Sequence, residues 1–316
     1  MQNTNLDSGL AASITRSAST QTYHTICYLV DKDRVADAYR AYAYFRWVDD
    51  SLDGGSATPQ EGDAGVERGA FVERQKSLLE MCYRGDSPRD ADIHEQMLVD
   101  LIRHDAEKNS GLQVYLRNMM GVMSFDAVRR GRLVSQAELN EYTRLLASAV
   151  TEAMHYFIGH CCYSPHDEVR YLAVTAAHIT HMLRDTFDDV QAGYFNIPRE
   201  VLEANRISPF DVQSDAYRLW VKSRVVQART YFSAGREYLN RVQNPRCRLA
   251  GFAYTARFEW LLDTFERESY LLRLQYNERK RFGTGLRMMA SAFSSMMNWR
   301  GTEFGEKVPA QHGMVR

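Results

Sequence analysis

Proline is scarce in this sequence, with seven in 316 residues. Each proline removes a backbone donor and breaks a helix or an inner strand, so a chain with so few leaves room for long unbroken helices. Cysteine is sparse too. The five (Cys27, Cys82, Cys161, Cys162, Cys247) are an odd number without the paired spacing of a zinc site. That argues against a disulfide scaffold and fits a reduced, cytoplasmic protein. An excess of one charge is missing: 39 Lys and Arg stand against 40 Asp and Glu, a net charge of −1, so no broad field draws nucleic acid. No apolar run approaches the ~20 residues of a membrane span. The first twenty residues are polar and lack the apolar stretch of a signal peptide. No repeat of 20–50 residues is visible, and no linker is long enough to separate a second domain from the first.

What remains reads as helix almost throughout, with no alternating strand of useful length. The periodicity predicts helices near 21–31, 34–53, 65–84, 90–108, 112–130, 136–162, 167–191, 210–242, 246–281 and 285–299. Gly54 to Ala64 reads as a loop rich in Gly, Ser, Thr and Pro. Ser135-Gln136-Ala137-Glu138 has capping-box spacing. The expectation is one all-α bundle with a central cavity over residues 21–299, with a flexible segment at 1–20 and a loose tail at 300–316. Met288 to Trp299 is Met-rich and amphipathic. It reads as a terminal helix packed on the core, with weak peripheral membrane contact as the lesser alternative.

The chemistry concentrates in two stretches. In Arg46-Trp47-Val48-Asp49-Asp50-Ser51-Leu52-Asp53, Asp49 and Asp53 are four apart, which stacks both carboxylates on one helix face. Asp185 and Asp189 repeat the spacing in Leu183-Arg184-Asp185-Thr186-Phe187-Asp188-Asp189. One such pair alone is commonly a solvated helix end. Two in one helical chain suit a cation, because Mg²⁺ takes hard oxygen ligands from one or two carboxylates plus substrate phosphates. Arg46 and Arg184 lie where they can pair with an aspartate or with phosphate oxygens. His178, His181 and Asp185 share a face, a weak arrangement for zinc.

These two stretches resemble the aspartate motifs of the squalene/phytoene synthase family, the head-to-head trans-isoprenyl diphosphate synthases. Thr22-Tyr23, the 119–126 segment, Leu139-Asn140-Glu141-Tyr142 and the turn from Gly193 to Pro198 fall in order around them. The resemblance spans roughly residues 17–290. It implies the class I isoprenoid synthase fold and a Mg²⁺ cluster held by Asp49, Asp53, Asp185 and Asp189. It implies diphosphate binding by Arg46 and Arg184, and an active site lined by Tyr42 and Tyr142, with the Tyr142 hydroxyl near the reacting centre. Tyr270 and Arg287 have the spacing of a further diphosphate-binding pair, with Lys280 and Arg281 as competitors. The implied reaction is condensation of two farnesyl or geranylgeranyl diphosphates through a cyclopropylcarbinyl diphosphate. Phe45, Tyr142 and Phe157 are candidates for cation–π stabilisation of the carbocation.

The chain also departs from the family pattern. His178 and His181, at positions that the resemblance assigns to substrate binding near metal and diphosphate, replace Gln and Asn; Ser148 and Thr151 replace glycines that give room to the isoprenoid, and Tyr194 replaces an Arg after the turn glycine. The altered lining keeps a second reading open, a single-substrate terpene cyclase on the same fold. A third is a non-catalytic relative acting as a binding or assembly protein, against which the four motif aspartates argue. No dinucleotide fingerprint is present, so NADPH use, which separates squalene from dehydrosqualene or phytoene (carotenoid-type) products, stays open.

Overall fold

A computed structural model describes residues 2–54 and 61–276, which contain helices and no strand. The helices run α1 Gln2–Ala18, α2 Thr20–Leu29, α3 Val35–Asp53, α4 Glu61–Tyr83, α5 Ile93–Arg103 and α6 Gly111–Arg129. They continue with α7 Gln136–Phe157, a 3-10 turn at Glu168–Tyr171, α8 Leu172–Ala192, α9 Arg199–Asn205, α10 Asp215–Arg241 and α11 Pro245–Arg267. Local chemistry sets several starts. Asp92 and Ser135 cap α5 and α7 with full capping boxes, and Ser110 and Ser214 accept from the first turns of α6 and α10.

Several helix bounds differ from the expected ones. The stretch 1–20, expected to be flexible, forms α1 and the start of α2. Ala11 and Thr15, four apart, are fully buried, and α1 packs along α3. Leu10 and Ile14 pack against the same core from partly buried positions. Helix α7 stops at Phe157 rather than 162, because the Asp31 carboxylate takes the N–H groups of Gly159 and His160 at 3.0 and 3.1 Å. Helix α11 stops at Arg267 rather than 281. Ser269 and Tyr270 have φ of 54° and 66°, and the Tyr270 N–H closes the turn on the Phe265 carbonyl at 2.7 Å. The expected helix at 285–299, the tail, and Arg287, Lys280 and Arg281 lie outside the described residues.

Two apolar cores form. One gathers α1 to α7 with the facing ends of α10 and α11 around Tyr44, Met97, Leu98 and Leu116. The other gathers α8 to α11 around Ile179, Tyr217, Phe232 and Phe265. They meet where α7 packs on α8. The connection after α6 is pinned to the turn after α8 by backbone bonds from Gly131 N–H to the Gly193 carbonyl and from Arg199 N–H to the Val134 carbonyl, both 2.8 Å. Gly193 caps α8 with φ of 85°, and a Cβ there would stand 3.3 Å from the Gly131 nitrogen. A side chain at this position would be strained and would also press the two connections apart.

Candidate active site

Tyr39, Ala41, Phe45, Val48 and Leu52 sink into the first core, leaving Asp49 and Asp53 on the rim of α3. Arg46 donates through Nε to Asp50 Oδ2 at 3.0 Å and through Nη1 to Asp49 Oδ2 at 3.3 Å, and it pairs with Asp50 again through Nη2. Its main partner is therefore Asp50, one residue beyond the aspartate singled out from spacing. Partial burial, with the Asp53 carboxylate next, raises the Asp49 pKa to about 6.

On α8, Arg184 donates to both oxygens of Asp185 at 2.6 and 2.5 Å, and His181 Nε2 lies 3.0 Å from Asp185 Oδ2. Burial first, and the neighbouring Asp185 second, push Asp189 up to about 7. His178 is buried, and its Nε2 has no hydrogen-bond partner among the described residues. Burial lowers its pKa to about 3, so the ring is neutral, and it lies 5.3 Å from the Tyr142 ring.

A continuous hydrogen-bonded chain joins Tyr142 to Asp189. The Tyr142 hydroxyl donates to Asp126 Oδ2 at 3.1 Å, and Arg129 Nε donates to Asp126 Oδ1 at 2.6 Å. Arg129 Nη1 donates to Asn196 Oδ1 at 2.9 Å, and Asn196 Nδ2 donates to Asp189 Oδ2 at 2.6 Å. The Arg129 guanidinium also lies 4.9 Å from the ring centres of both Tyr142 and Tyr194. A cation from α6 thus stands over the tyrosine that follows the turn glycine. The first acidic pair belongs to the same electrostatic neighbourhood. Asp126 is raised first by burial and also by Asp53, and Tyr194 is raised by burial and then by Asp53 and Asp126.

Sequence reasoning missed Asp126, Arg129 and Asn196 as functional candidates. Asp126 and Arg129, three apart, look like an ordinary helix-surface pair. The signal that could have found Asp126 is its place at the end of the 119–126 segment, which the family resemblance includes.

Behind the acidic rim lies an apolar cavity of about 310 Å³. Tyr42, Thr151 and Phe157 line it, as do Ala41 on α3, Val174 on α8 and Gly251 on α11. Among the described residues none of the four aspartates lines it. Tyr42 is seven residues before Asp49, about 10 Å along the helix, so α3 spans from cavity wall to acidic rim. Thr151 does narrow the cavity, whereas the Ser148 hydroxyl accepts from Asn118 Nδ2 at 3.0 Å and faces α6. Phe45 packs edge-on against Tyr44 and Tyr115 in the core. Tyr270 packs against the second core with Lys222 over its ring, and none of its hydrogen bonds among the described residues joins the aspartates.

A family model described as squalene/phytoene synthase matches residues 15–282. No curated protein sequence matches the chain. Among solved structures, squalene synthase HpnC from Alicyclobacillus acidocaldarius superposes with a TM-score of 0.65 at 19% identity, over 86% of this chain and 98% of its own. A dehydrosqualene synthase in complex with ligand gives 0.68 at 17% identity, over 94% and 98%. TcSQS with the ligand BPH1237 gives 0.59 at 13% identity, over 94% and 93%. At these identities the likeness to the three structures is one of fold.

Proposed function

We propose, given that this chain belongs to the squalene/phytoene synthase family, that it ionises farnesyl or geranylgeranyl diphosphate with Mg²⁺ and couples two such molecules head to head, releasing diphosphate. The observation that carries the reading is that α3 and α8 each bear an acidic pair toward the C-terminal end and a cavity-lining residue further back. The C-terminal ends of α3 and α8 carry Asp49, Asp53, Asp185 and Asp189, while Tyr42 and Val174, further back on the same helices, wall the cavity. Two of the similar solved structures are a squalene synthase and a dehydrosqualene synthase, which gives the cyclase reading no support.

The donor set fits magnesium. All four acids offer hard oxygens, and two of them already bind protons more tightly than usual because carboxylates crowd a partly dry rim. Among the described residues no three metal-binding side chains converge on one point. Each ion would therefore take one or two carboxylates, with diphosphate and water completing its shell. Bound there, Mg²⁺ supplies neutralising charge for the leaving diphosphate.

The chain's own groups do the rest. When the allylic C–O bond breaks, both electrons leave with the diphosphate. Arg46 and Arg184 turn from neighbouring carboxylates to its oxygens, adding charge-assisted hydrogen bonds as negative charge grows. Tyr42 and Phe157 offer ring faces to the cation, and the apolar wall keeps water from capturing it. Asp49→Ala and Asp185→Ala each abolish diphosphate release while the helical circular dichroism spectrum stays intact. Mass spectrometry of extracts after incubation with Mg²⁺ and either substrate reads a doubled carbon count. An unchanged count with a new ring, or full activity of Asp49→Ala, would overturn the proposal.

A further inference from the structure

We infer that Arg129 and Asn196 are positioning residues: they fix the Asp189 carboxylate so that one oxygen is held by the protein and the other is presented to a cation. The inference rests on the metal role proposed for Asp189 and adds two residues that neither spacing nor family resemblance singles out. A guanidinium has donors only and an ionised carboxylate has acceptors only, so an amide between them can be oriented in one way. Arg129 takes Asn196 Oδ1 at 2.9 Å, which turns Nδ2 toward Asp189 Oδ2 at 2.6 Å and leaves Oδ1 of Asp189 outside this chain of bonds. Both positioning residues are buried, with 8% and 6% of their surface exposed, so neither is free to swing away. Arg129 is itself held, because Asp126 accepts from its Nε at 2.6 Å, and the bond from Gly131 to Gly193 ties the α6 connection to the turn that carries Asn196. Helix α6 thus sets the aim of a carboxylate on α8.

Binding of Mn²⁺ with inorganic pyrophosphate, followed by electron paramagnetic resonance and calorimetry without prenyl substrate, tests this apart from turnover. Loss of an outer-shell partner typically weakens metal affinity about 10–100-fold, and Asn196→Ala is expected to fall in that range with its melting transition preserved. Arg129→Lys keeps the charge but cannot span Asp126 and Asn196 together, so it falls as well. The double variant falls no further than the weaker single one, since both act through one carboxylate. Wild-type affinity in Asn196→Ala overturns the inference alone, and wild-type affinity in Arg129→Lys overturns the role given to the guanidinium fork. Failure of the wild-type protein to bind Mn²⁺ with pyrophosphate would sink the metal reading and this inference together.

Discussion

Asp189→Asn should make the metal-free protein more stable at neutral and alkaline pH. Burial, and after it the Asp185 charge, raise Asp189 from 3.8 to about 7. Between those values the unfolded chain has released the proton and the native chain still holds it, so native stability falls as pH rises through that window. Above it the loss is complete, and below about pH 4 it vanishes. A rise of that size corresponds to about 4 kcal/mol, at about 1.36 kcal/mol for each pH unit. Some of Asp189 remains in contact with water, and salt gathers about the acidic rim, which reduces the expected gain to roughly 1–3 kcal/mol. Asparagine removes the charge and keeps an oxygen to accept from Asn196. At roughly 2–4 °C per kcal/mol, melting in EDTA at pH 8 should rise by several degrees over wild type. The two proteins should melt together at pH 4. With Mg²⁺ and pyrophosphate added at pH 8, the order should reverse, because wild type keeps the full set of carboxylates and gains more from the ligand. A variant no more stable than wild type at pH 8, or equally stabilised at pH 4, would refute the picture of two carboxylates crowded on a partly dry rim.

Arg170→Met should cost about 3–5 kcal/mol in denaturant unfolding, the usual result of stranding a buried charge. Arg170 donates to both Glu152 oxygens at 2.7 and 2.9 Å and to the Tyr238 hydroxyl at 2.8 Å. Adding Glu152→Leu should recover some of the loss, and no recovery would refute the stranded-charge account. Gly235→Ala should destabilise by about 1–3 kcal/mol through overpacking, since its new Cβ would stand 2.6 Å from the Ala173 Cβ and 2.8 Å from the Ala173 backbone. A neutral outcome by thermal melting would mean that α10 yields to α8. Ala41→Phe adds bulk to the cavity wall on α3. It should reduce kcat/KM for geranylgeranyl diphosphate more than for farnesyl diphosphate while pyrophosphate binding holds, and equal losses would separate the cavity from the substrate chain.

What could be read in advance was local. A separation of four along a helix fixes the faces of Asp49 and Asp53, and of Asp185 and Asp189, whatever the tertiary fold. Gly54 and Gly193 mark where those helices end. The Asn196 contact with Arg129 joins residues 67 apart, and it exists because one connection docks on another through Gly131 and Gly193, which no periodicity encodes. Ser148 and Thr151, three apart, were read together, yet one bonds Asn118 and the other lines the cavity, since three residues fall short of a full turn. Helix α1 has only two fully buried residues among those whose burial is described, Ala11 and Thr15, and its mixed polar sequence shows little helical stripe.

The acidic pairs show why function was more legible than packing. Each lies in the last turns of its helix, where the macrodipole is already negative and favours cations. Like charges four apart add a second unfavourable term, and partial burial adds a third at Asp49 and Asp189. Three local preferences are violated twice in one chain, at the ends of two helices, and Asn196 and Arg129 link the second of these ends to Asp126. Local rules broken together are expected at functional sites. Positive charge brought from outside relieves all three terms at once, and the nearby Arg46 and Arg184 relieve them only incompletely.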